Sequence, residues 1–228
     1  MSGYVIRFSR RQRIEHFSVM SLFLLLSLTG LPQKYYAAGW AQAIILGLGG
    51  IETVRAVHRI AGVLFAILTA VHLLTAMALV ASGRSPLSLV PTRKDFTDAI
   101  MMLRYYLGVS DTHPHFDRFD YRQKWEYWGL VLGAVVVIVT GIVLLFPITT
   151  ARWLPGEVIP AAKLAHSNEG LMAFLVVVIW HIYNAHFSPD VFPFDRTIFT
   201  GKISRERVEK EHPLEWERIK EAGGPPDA

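Results

Sequence analysis

Four histidines lie in long apolar stretches at matched spacings. His58 and His72 bracket the run HRIAGVLFAILTAVH, and His166 and His181 bracket HSNEGLMAFLVVVIWH, which is one residue longer. Fourteen steps of about 100° fall about 40° short of four helical turns, so both imidazoles of the first run share one helix face. They lie about 21 Å apart along the axis, most of a hydrocarbon core about 30 Å thick. Imidazole is a metal ligand and a proton carrier, so the pattern predicts redox or proton chemistry inside a membrane.

The segments that carry these histidines are predicted to span a membrane. Of the 228 residues, 52% are hydrophobic, which is too apolar for an ordinary soluble domain of this length. The chain has no cysteine, which excludes disulfides, cysteine-ligated iron–sulfur clusters and covalently attached c-type haem. The first apolar run is followed by no Ala-x-Ala-like site, so we expect a retained span and no cleaved signal peptide. The four predicted spans are residues 16–33, 57–81, 127–148 and 165–187.

The segments between the spans are expected to lie outside the hydrocarbon core. Residues 34–57 are predicted to form a loop or a short interfacial helix. Residues 84–124 form a polar connection, in which the apolar spacing of 94–107 predicts a helix on the membrane surface. The resulting organisation is an N-terminal segment, residues 1–15, a four-helix membrane domain, residues 16–187, and a charged tail, residues 188–228. The tail includes the predicted surface helix SRERVEKE.

The distribution of Lys and Arg predicts the orientation of the spans. Of the 23 Lys and Arg residues, 18 lie in the N-terminal segment, the 84–124 connection and the tail, and five lie in the other two connecting regions. Positive residues accumulate on the cytoplasmic side, so both termini are expected inside, in the cytoplasmic membrane of a bacterium or archaeon. The net charge of +4 is explained by this topology and implies no nucleic-acid partner.

With this topology the second and fourth spans run in the same direction. His58 and His166 then lie near the outer face, and His72 and His181 near the inner face. Facing imidazoles at two depths predict two stacked haem b groups, each with two axial histidines and therefore suited to electron transfer. The predicted fold class is an all-α integral membrane protein, a four-helix bundle holding b-type haems. Gly62 and Gly170 have no side chain and would leave room for the macrocycle of the outer haem. The cationic side chains of Arg55, Arg59 and Lys163 would pair with its propionates.

Two further membrane histidines leave alternatives open. His16 lies at the inner end of the first span and is a second candidate partner for His181. His186 follows His181 by five residues, on a different face of an α-helix. These spare histidines could serve a third haem or a quinone pocket, or could simply lie at the membrane interface. His113 and His115 are expected to be solvated loop residues.

The chain resembles the membrane cytochrome b, or gamma, subunit of respiratory formate dehydrogenases, which is related to the cytochrome b of membrane-bound nickel–iron hydrogenases. The resemblance covers nearly the whole chain. It rests on RIEHFSVMSLFLLLSLTG, AVHRIAG, VPTRKDF, YRQKWEYWGL with VTGIVLLFP, and LAHSNEGLMAFLVVVIWHIYNAHF. It implies a four-helix haem b protein that passes electrons between a quinone and a partner subunit, which we expect to carry iron–sulfur or multihaem centres.

Carried over by position, the resemblance implies that His58 and His166 bind the outer haem and that His16 and His181 bind the inner one. His72 departs from this pattern. A His-x13-His helix is instead similar to the cytochrome b of quinol–cytochrome c oxidoreductases. The inner partner of His181 therefore stays open between His16, by family position, and His72, by depth and spacing.

Alternatives also stay open for the quinone site and for the function of the protein. Tyr121, Arg122 and Gln123 are polar groups near the expected inner haem, in a stretch shorter than the family's version, and are candidates for quinone contact. A stand-alone transmembrane haem reductase is one alternative function. A haem-free transporter with a histidine relay is another, and it would need acidic residues along the spans, where the sequence offers only Glu169.

Overall fold

The computed structural model describes residues 3–84, 86–189 and 191–223. The chain is mostly helical, and four of its helices are long and apolar enough to cross a membrane. Their most apolar stretches are almost entirely exposed on the isolated protein, as lipid-facing surface requires. The four spans are α1, Arg10–Lys34; α3, Ile51–Ala81; α5, Tyr121–Leu145; and the continuous helix Val158–Phe187, which consists of α7, Val158–Leu175, and the π-helical turns Val176–His181 and Tyr183–Phe187.

All four helices begin earlier in the chain than the predicted spans. A span predicted from uncharged residues marks the hydrocarbon core, whereas backbone hydrogen bonding continues through the interface until a terminator stops it. For α3 the terminator is the pair Gly49 and Gly50, whose φ angles of 91° and 93° no helix accommodates. The helix therefore starts at Ile51, six residues before the predicted boundary.

Two short helices connect the spans. Helix α2, Gly39–Gly47, links α1 to α3, in agreement with the short interfacial helix expected there. Helix α6, Pro147–Trp153, links α5 to α7, with Pro147 at its first position, where the missing N–H has no consequence. Each half of the membrane domain is therefore a long helix, a short helix and a second long helix.

Helix α4, Arg93–Tyr106, lies in the 84–124 connection and turns its acidic side inward. Asp95 forms a capping box with Thr92, and its carboxylate forms an ion pair with Lys124 at 2.8 Å. The outward side is apolar, which is the arrangement that a helix on a membrane surface needs. Its most exposed apolar side chains, each more than half exposed, are Phe96, Ile100 and Leu103.

The chain divides into two compact units. The first consists of Met1–Arg13, Val80–Gly129 and Phe194–Ala228, and the second of Ile14–Leu79 and Leu130–Pro193. In the first unit, β1, Tyr4–Ile6, pairs antiparallel with β2, Lys202–Ser204. This sheet corrects the all-α prediction, because three-residue strands at opposite ends of a chain leave no periodic pattern in the sequence. The tail also forms the helices α8, Thr197–Thr200; α9, Arg205–Glu211; and α10, Pro213–Glu221.

Ion pairs fill much of the core of the first unit. The Arg7 guanidinium is buried and bonds both the carboxylate of Glu215 and the carbonyl of Arg118. The Arg118 guanidinium also pairs with Glu215, at 2.9 Å. Buried His212 bonds the carbonyl of Asp117 through Nδ1, at 2.8 Å. These bonds join the N-terminal segment, the connection and the tail, which are the three segments that the charge distribution places on one side of the membrane.

Two histidine pairs as the candidate functional site

The first histidine pair joins the second and fourth spans. Its members are His58 on α3 and His166 on α7, and we call it the outer pair. Their ring centroids lie 6.2 Å apart and their ring planes are inclined by 81°. The structure therefore brings together the two residues that the sequence assigned to the outer face.

The second pair joins the first and fourth spans. His16 on α1 and His181, which we call the inner pair, have ring centroids 6.2 Å apart and planes inclined by 37°. The Nδ1 atom of His72 lies 3.0 Å from Oε2 of Glu15, the residue that precedes His16 in the sequence. Of the two candidates for the partner of His181, His16 is thus the one whose ring lies at the spacing of the outer pair.

The spacing of both pairs fits a metal ion between two imidazoles. A metal–nitrogen bond of about 2 Å on each side, with about 1.1 Å from each nitrogen to its ring centroid, gives a centroid separation of about 6.2 Å. Among the residues that the structure describes, no group of three or more His, Cys, Asp or Glu side chains could hold a metal. Two opposed imidazoles with the remaining donors left to a macrocycle are the ligand set of a six-coordinate haem.

Hydrogen bonds fix which nitrogen each outer histidine can offer. The Nδ1 atom of His166 lies 2.9 Å from the carbonyl oxygen of Val137 and 3.2 Å from Oγ1 of Thr140. The Nδ1 atom of His58 lies 2.9 Å from Oγ1 of Thr29. A carbonyl oxygen can act only as a hydrogen-bond acceptor, so Nδ1 of His166 must carry the proton. Its Nε2 is then available to coordinate a metal ion.

Glycines surround the outer pair in two different ways. A Cβ added to Gly30 or Gly141 would lie 3.0 Å or 3.3 Å from Cε1 of His58 or His166, so these two glycines receive the imidazole rings. A Cβ added to Gly62 would meet no described heavy atom within 4 Å. The same holds for Gly170, so the two positions predicted to leave room for a macrocycle are open toward the surrounding space.

The π-helical turns change the relation between His181 and His186. The sequence placed them on different faces of an α-helix. The N–H of Ile182 bonds the carbonyl of Val177, five residues earlier, which is the pattern of a π-helix. A π-helix turns less per residue than an α-helix, so these turns reduce the angle between His181 and His186 around the helix axis.

The cationic candidates at the outer end are held in different ways. Arg55 is engaged in an exposed ion pair with Glu52 at 2.9 Å, while Arg59 and Lys163 are exposed. Lys34, which the sequence analysis did not select, donates from Nζ to Oδ1 of Asn168 at 2.7 Å. The same Nζ also lies 3.3 Å from Oγ of Ser167, the residue that follows His166 in the sequence. A cation that ends an apolar run was the signal that could have identified it.

The three quinone candidates begin helix α5. The side chain of Arg122 pairs with Asp120 at 2.7 Å, and the N–H of Gln123 donates to Asp120 at 2.9 Å. The ring of Tyr121 packs edge-on against Trp125, with centroids 5.6 Å apart. Asp120 thus organises the first turn of the helix, and the contact of these residues with quinone stays a prediction.

An acidic residue also enters the membrane region of the second unit. A Cβ added to Gly133 on α5 would lie 2.5 Å from Oε1 of Glu169 on α7. The glycine therefore leaves the space that the carboxylate occupies. The sequence analysis identified Glu169 as the acidic residue in a span but gave no indication that it meets Gly133.

Known proteins resemble this chain over most of its length. The family model of prokaryotic cytochrome b561 matches residues 7–191, which include all four spans. The nitrate-inducible formate dehydrogenase cytochrome b556(Fdn) subunit of Escherichia coli K12 is 22% identical over 221 residues, covering 97% of this chain and 94% of that protein. The formate dehydrogenase cytochrome b556 subunit of Haemophilus influenzae is 25% identical over 216 residues, covering 94% and 82%.

The matches confirm the resemblance that the sequence motifs indicated. A cytochrome b family implies b-type haem, and the four apolar helices make this a multi-pass membrane protein. With the family model matching most of its length, the chain belongs to the prokaryotic cytochrome b561 family.

Proposed function

We propose that this protein is a dihaem cytochrome b that carries electrons between a partner redox subunit and the membrane quinone pool. His58 and His166 would ligate the outer haem, and His16 and His181 the inner one. The observation that carries the proposal is the equal ring separation of 6.2 Å in the two pairs, each built from two different spans.

The residues of the chain perform three tasks in this proposal. The four histidines would hold the two haems, which would supply one-electron redox chemistry. The apolar spans exclude water from the pairs. Gly62 and Gly170 leave space beside the outer pair, where any larger side chain would project.

Two depths give the electron a route across the membrane. His166 and His181 lie fifteen residues apart on one continuous helix, which is about 22 Å along its axis. The separation matches most of the hydrocarbon thickness. One pair therefore serves the outer face and the other the inner face, where we place the exchange with quinone.

The relatives suggest the kind of partner. Their names are those of formate dehydrogenase cytochrome b556 subunits, and the chain covers 94% of the length of the first. We propose a membrane-bound dehydrogenase complex, in which a partner with iron–sulfur or multihaem centres performs the substrate chemistry. The proposed location is the cytoplasmic membrane, with both termini inside. For His186 we propose a contact with quinone or with a third haem.

The test is a reduced-minus-oxidised spectrum and haem quantification on the purified protein. We expect a b-type α band and two haems per chain in the wild type. The variants H58A and H166A should each retain one haem, while H115A, in an exposed loop, retains two. A protein without a b-type α band would contradict the proposal and favour a histidine relay, in which the contact between Glu15 and His72 would have the central role.

A further inference from the structure

The two halves of the membrane domain contain the same histidine cradle. Helix α1 carries LSLTG at residues 26–30 and α5 carries VIVTG at residues 137–141. In the first cradle Oγ1 of Thr29 lies 2.9 Å from Nδ1 of His58, and in the second Oγ1 of Thr140 lies 3.2 Å from Nδ1 of His166. Helix α1 thus contacts His58 on α3, and helix α5 contacts His166 on α7.

The hydroxyl group has the same role in both cradles. Oγ1 of Thr29 donates to the carbonyl of Leu25 at 2.7 Å, and Oγ1 of Thr140 donates to the carbonyl of Val136 at 2.6 Å. A hydroxyl has one hydrogen, so its remaining capacity toward the imidazole is that of an acceptor. The histidine must therefore donate from Nδ1, which leaves Nε2 bare.

A glycine completes each cradle, and a carbonyl takes part in the second. A Cβ added to the glycine after the threonine would lie 3.0 Å from Cε1 of His58 in the first cradle and 3.3 Å from Cε1 of His166 in the second. The carbonyl of Val137, three residues before Thr140, also accepts a hydrogen bond from Nδ1 of His166 at 2.9 Å. These contacts on one side of each ring determine its tautomer and the direction of its plane.

The inner pair is held differently. The Nδ1 atom of His16 is buried and has no hydrogen-bond partner among the described residues. The ring planes of the inner pair are inclined by 37°, against 81° in the outer pair. The near-perpendicular arrangement therefore occurs where both rings rest in a cradle.

We propose that Thr29 and Thr140 are paired positioning residues that hold the outer histidines as Nδ1–H tautomers with perpendicular planes. The proposal rests on the haem ligation proposed above and adds a division of labour to it. A hydrogen bond from Nδ1–H makes the imidazole a stronger donor, which favours the oxidised metal. The cradles therefore lower the potential of the outer haem, and the inner haem does not share this effect.

The test uses variants that remove the hydroxyl and preserve the shape of the side chain. T29V, T140V and the double variant are compared with T29S and T140S, which keep the hydroxyl. T75V is the matched control, because Oγ1 of Thr75 makes the same bond to its own helix, to the carbonyl of Val71 at 2.6 Å. The measurements are electron paramagnetic resonance of the oxidised protein, a redox titration, and the rate of haem transfer to apomyoglobin.

Perpendicular imidazole planes give a low-spin ferric haem a resonance at unusually low field. We expect the valine variants to shift this signal to higher field and to raise the potential of the outer haem only. In the double variant the outer haem should be lost at least about tenfold faster. T29S, T140S and T75V should behave like the wild type.

Two results would overturn the inference. One is a double valine variant with unchanged signal, potential and haem loss. The other is a pair of serine variants as altered as the valine ones, since packing would then be the cause. Either result would leave two haems in the wild type and the proposed function intact. A wild type without haem would instead remove the proposed function, and this inference with it.

Discussion

At the inner end of the spans, His16 and His72 are the two candidates for one role. His16 faces His181 at the same ring separation as the outer pair, whereas Nδ1 of His72 is engaged with the carboxylate of Glu15. Glu15, the residue that precedes His16, thus contacts His72, the other candidate ligand. This arrangement favours His16 as the ligand and gives His72 a polar contact of its own inside the membrane.

We expect H16A to lose the inner haem and H72A to retain both, because the ring of His16 lies 6.2 Å from that of His181, while Nδ1 of His72 is engaged with Glu15. Haem quantification and a redox titration of the two purified variants check this expectation. Loss of a haem from H72A with both haems present in H16A would reverse the assignment. Loss from both variants would point to a third haem that recruits His72.

Among the soluble elements, His212 shows how the tail is attached. Its imidazole lies between the guanidinium of Arg7, 3.1 Å from Nε2, and the carbonyl of Asp117. Burial lowers the pKa of His212 below its ordinary value of 6.5, and the positive charge of Arg7 lowers it further. The folded tail therefore holds this histidine neutral.

The lowered pKa predicts that tail docking weakens in acid. Above pH 6.5 His212 is neutral whether the tail is docked or released, so it adds no pH dependence. Below that pH the released tail binds a proton that the docked tail does not, so docking loses stability as the pH falls toward the lowered pKa. The hydrogen-exchange protection factors of α9 and α10, which are corrected for the slower intrinsic exchange in acid, should be lower at pH 5.5 than at pH 7.5.

The matched control for this prediction is H212Q, which keeps a donor for the carbonyl of Asp117 and cannot titrate. Its exchange should depend less on pH across the same window. The pKa of Asp117 is lowered from 3.8 by its bond to Arg218, so this carboxylate stays charged in the window. A wild type and an H212Q variant with the same pH dependence would contradict the role of His212.

At the scale of the whole molecule, two independent features describe the same topology. The charge distribution assigns the N-terminal segment, the 84–124 connection and the tail to one side. The first compact unit contains all three of these segments and closes them with buried ion pairs and a small sheet. The proposed orientation, which follows the positive-inside rule, places that side in the cytoplasm.

The absence of cysteine makes this topology directly testable with single-cysteine variants. Cysteines at Tyr36 and Trp153, which are 69% and 83% exposed, should react with an impermeant maleimide added to intact cells. Cysteines at Val109 and Glu217 should react only after the membrane is opened, because they lie in the connection and the tail. Labelling of the second pair from outside would reverse the proposed orientation.

The sequence by itself predicted the number of spans, the histidines that we propose as ligands and the grouping of the soluble segments. Each of these depends on local properties. An apolar run of about 20 residues spans a membrane wherever its neighbours lie, and the matched spacing of His58, His72, His166 and His181 follows from one helix period. The motifs likewise identified the family.

Only the tertiary structure decided which side chains meet. The ring of His16 lies against that of His181, and the hydroxyls of Thr29 and Thr140 lie against the outer histidines. These contacts depend on how each helix is rotated and tilted against its neighbours, which no local period records. The π-helical turns and the paired strands also depend on hydrogen bonds that sequence spacing leaves undetermined.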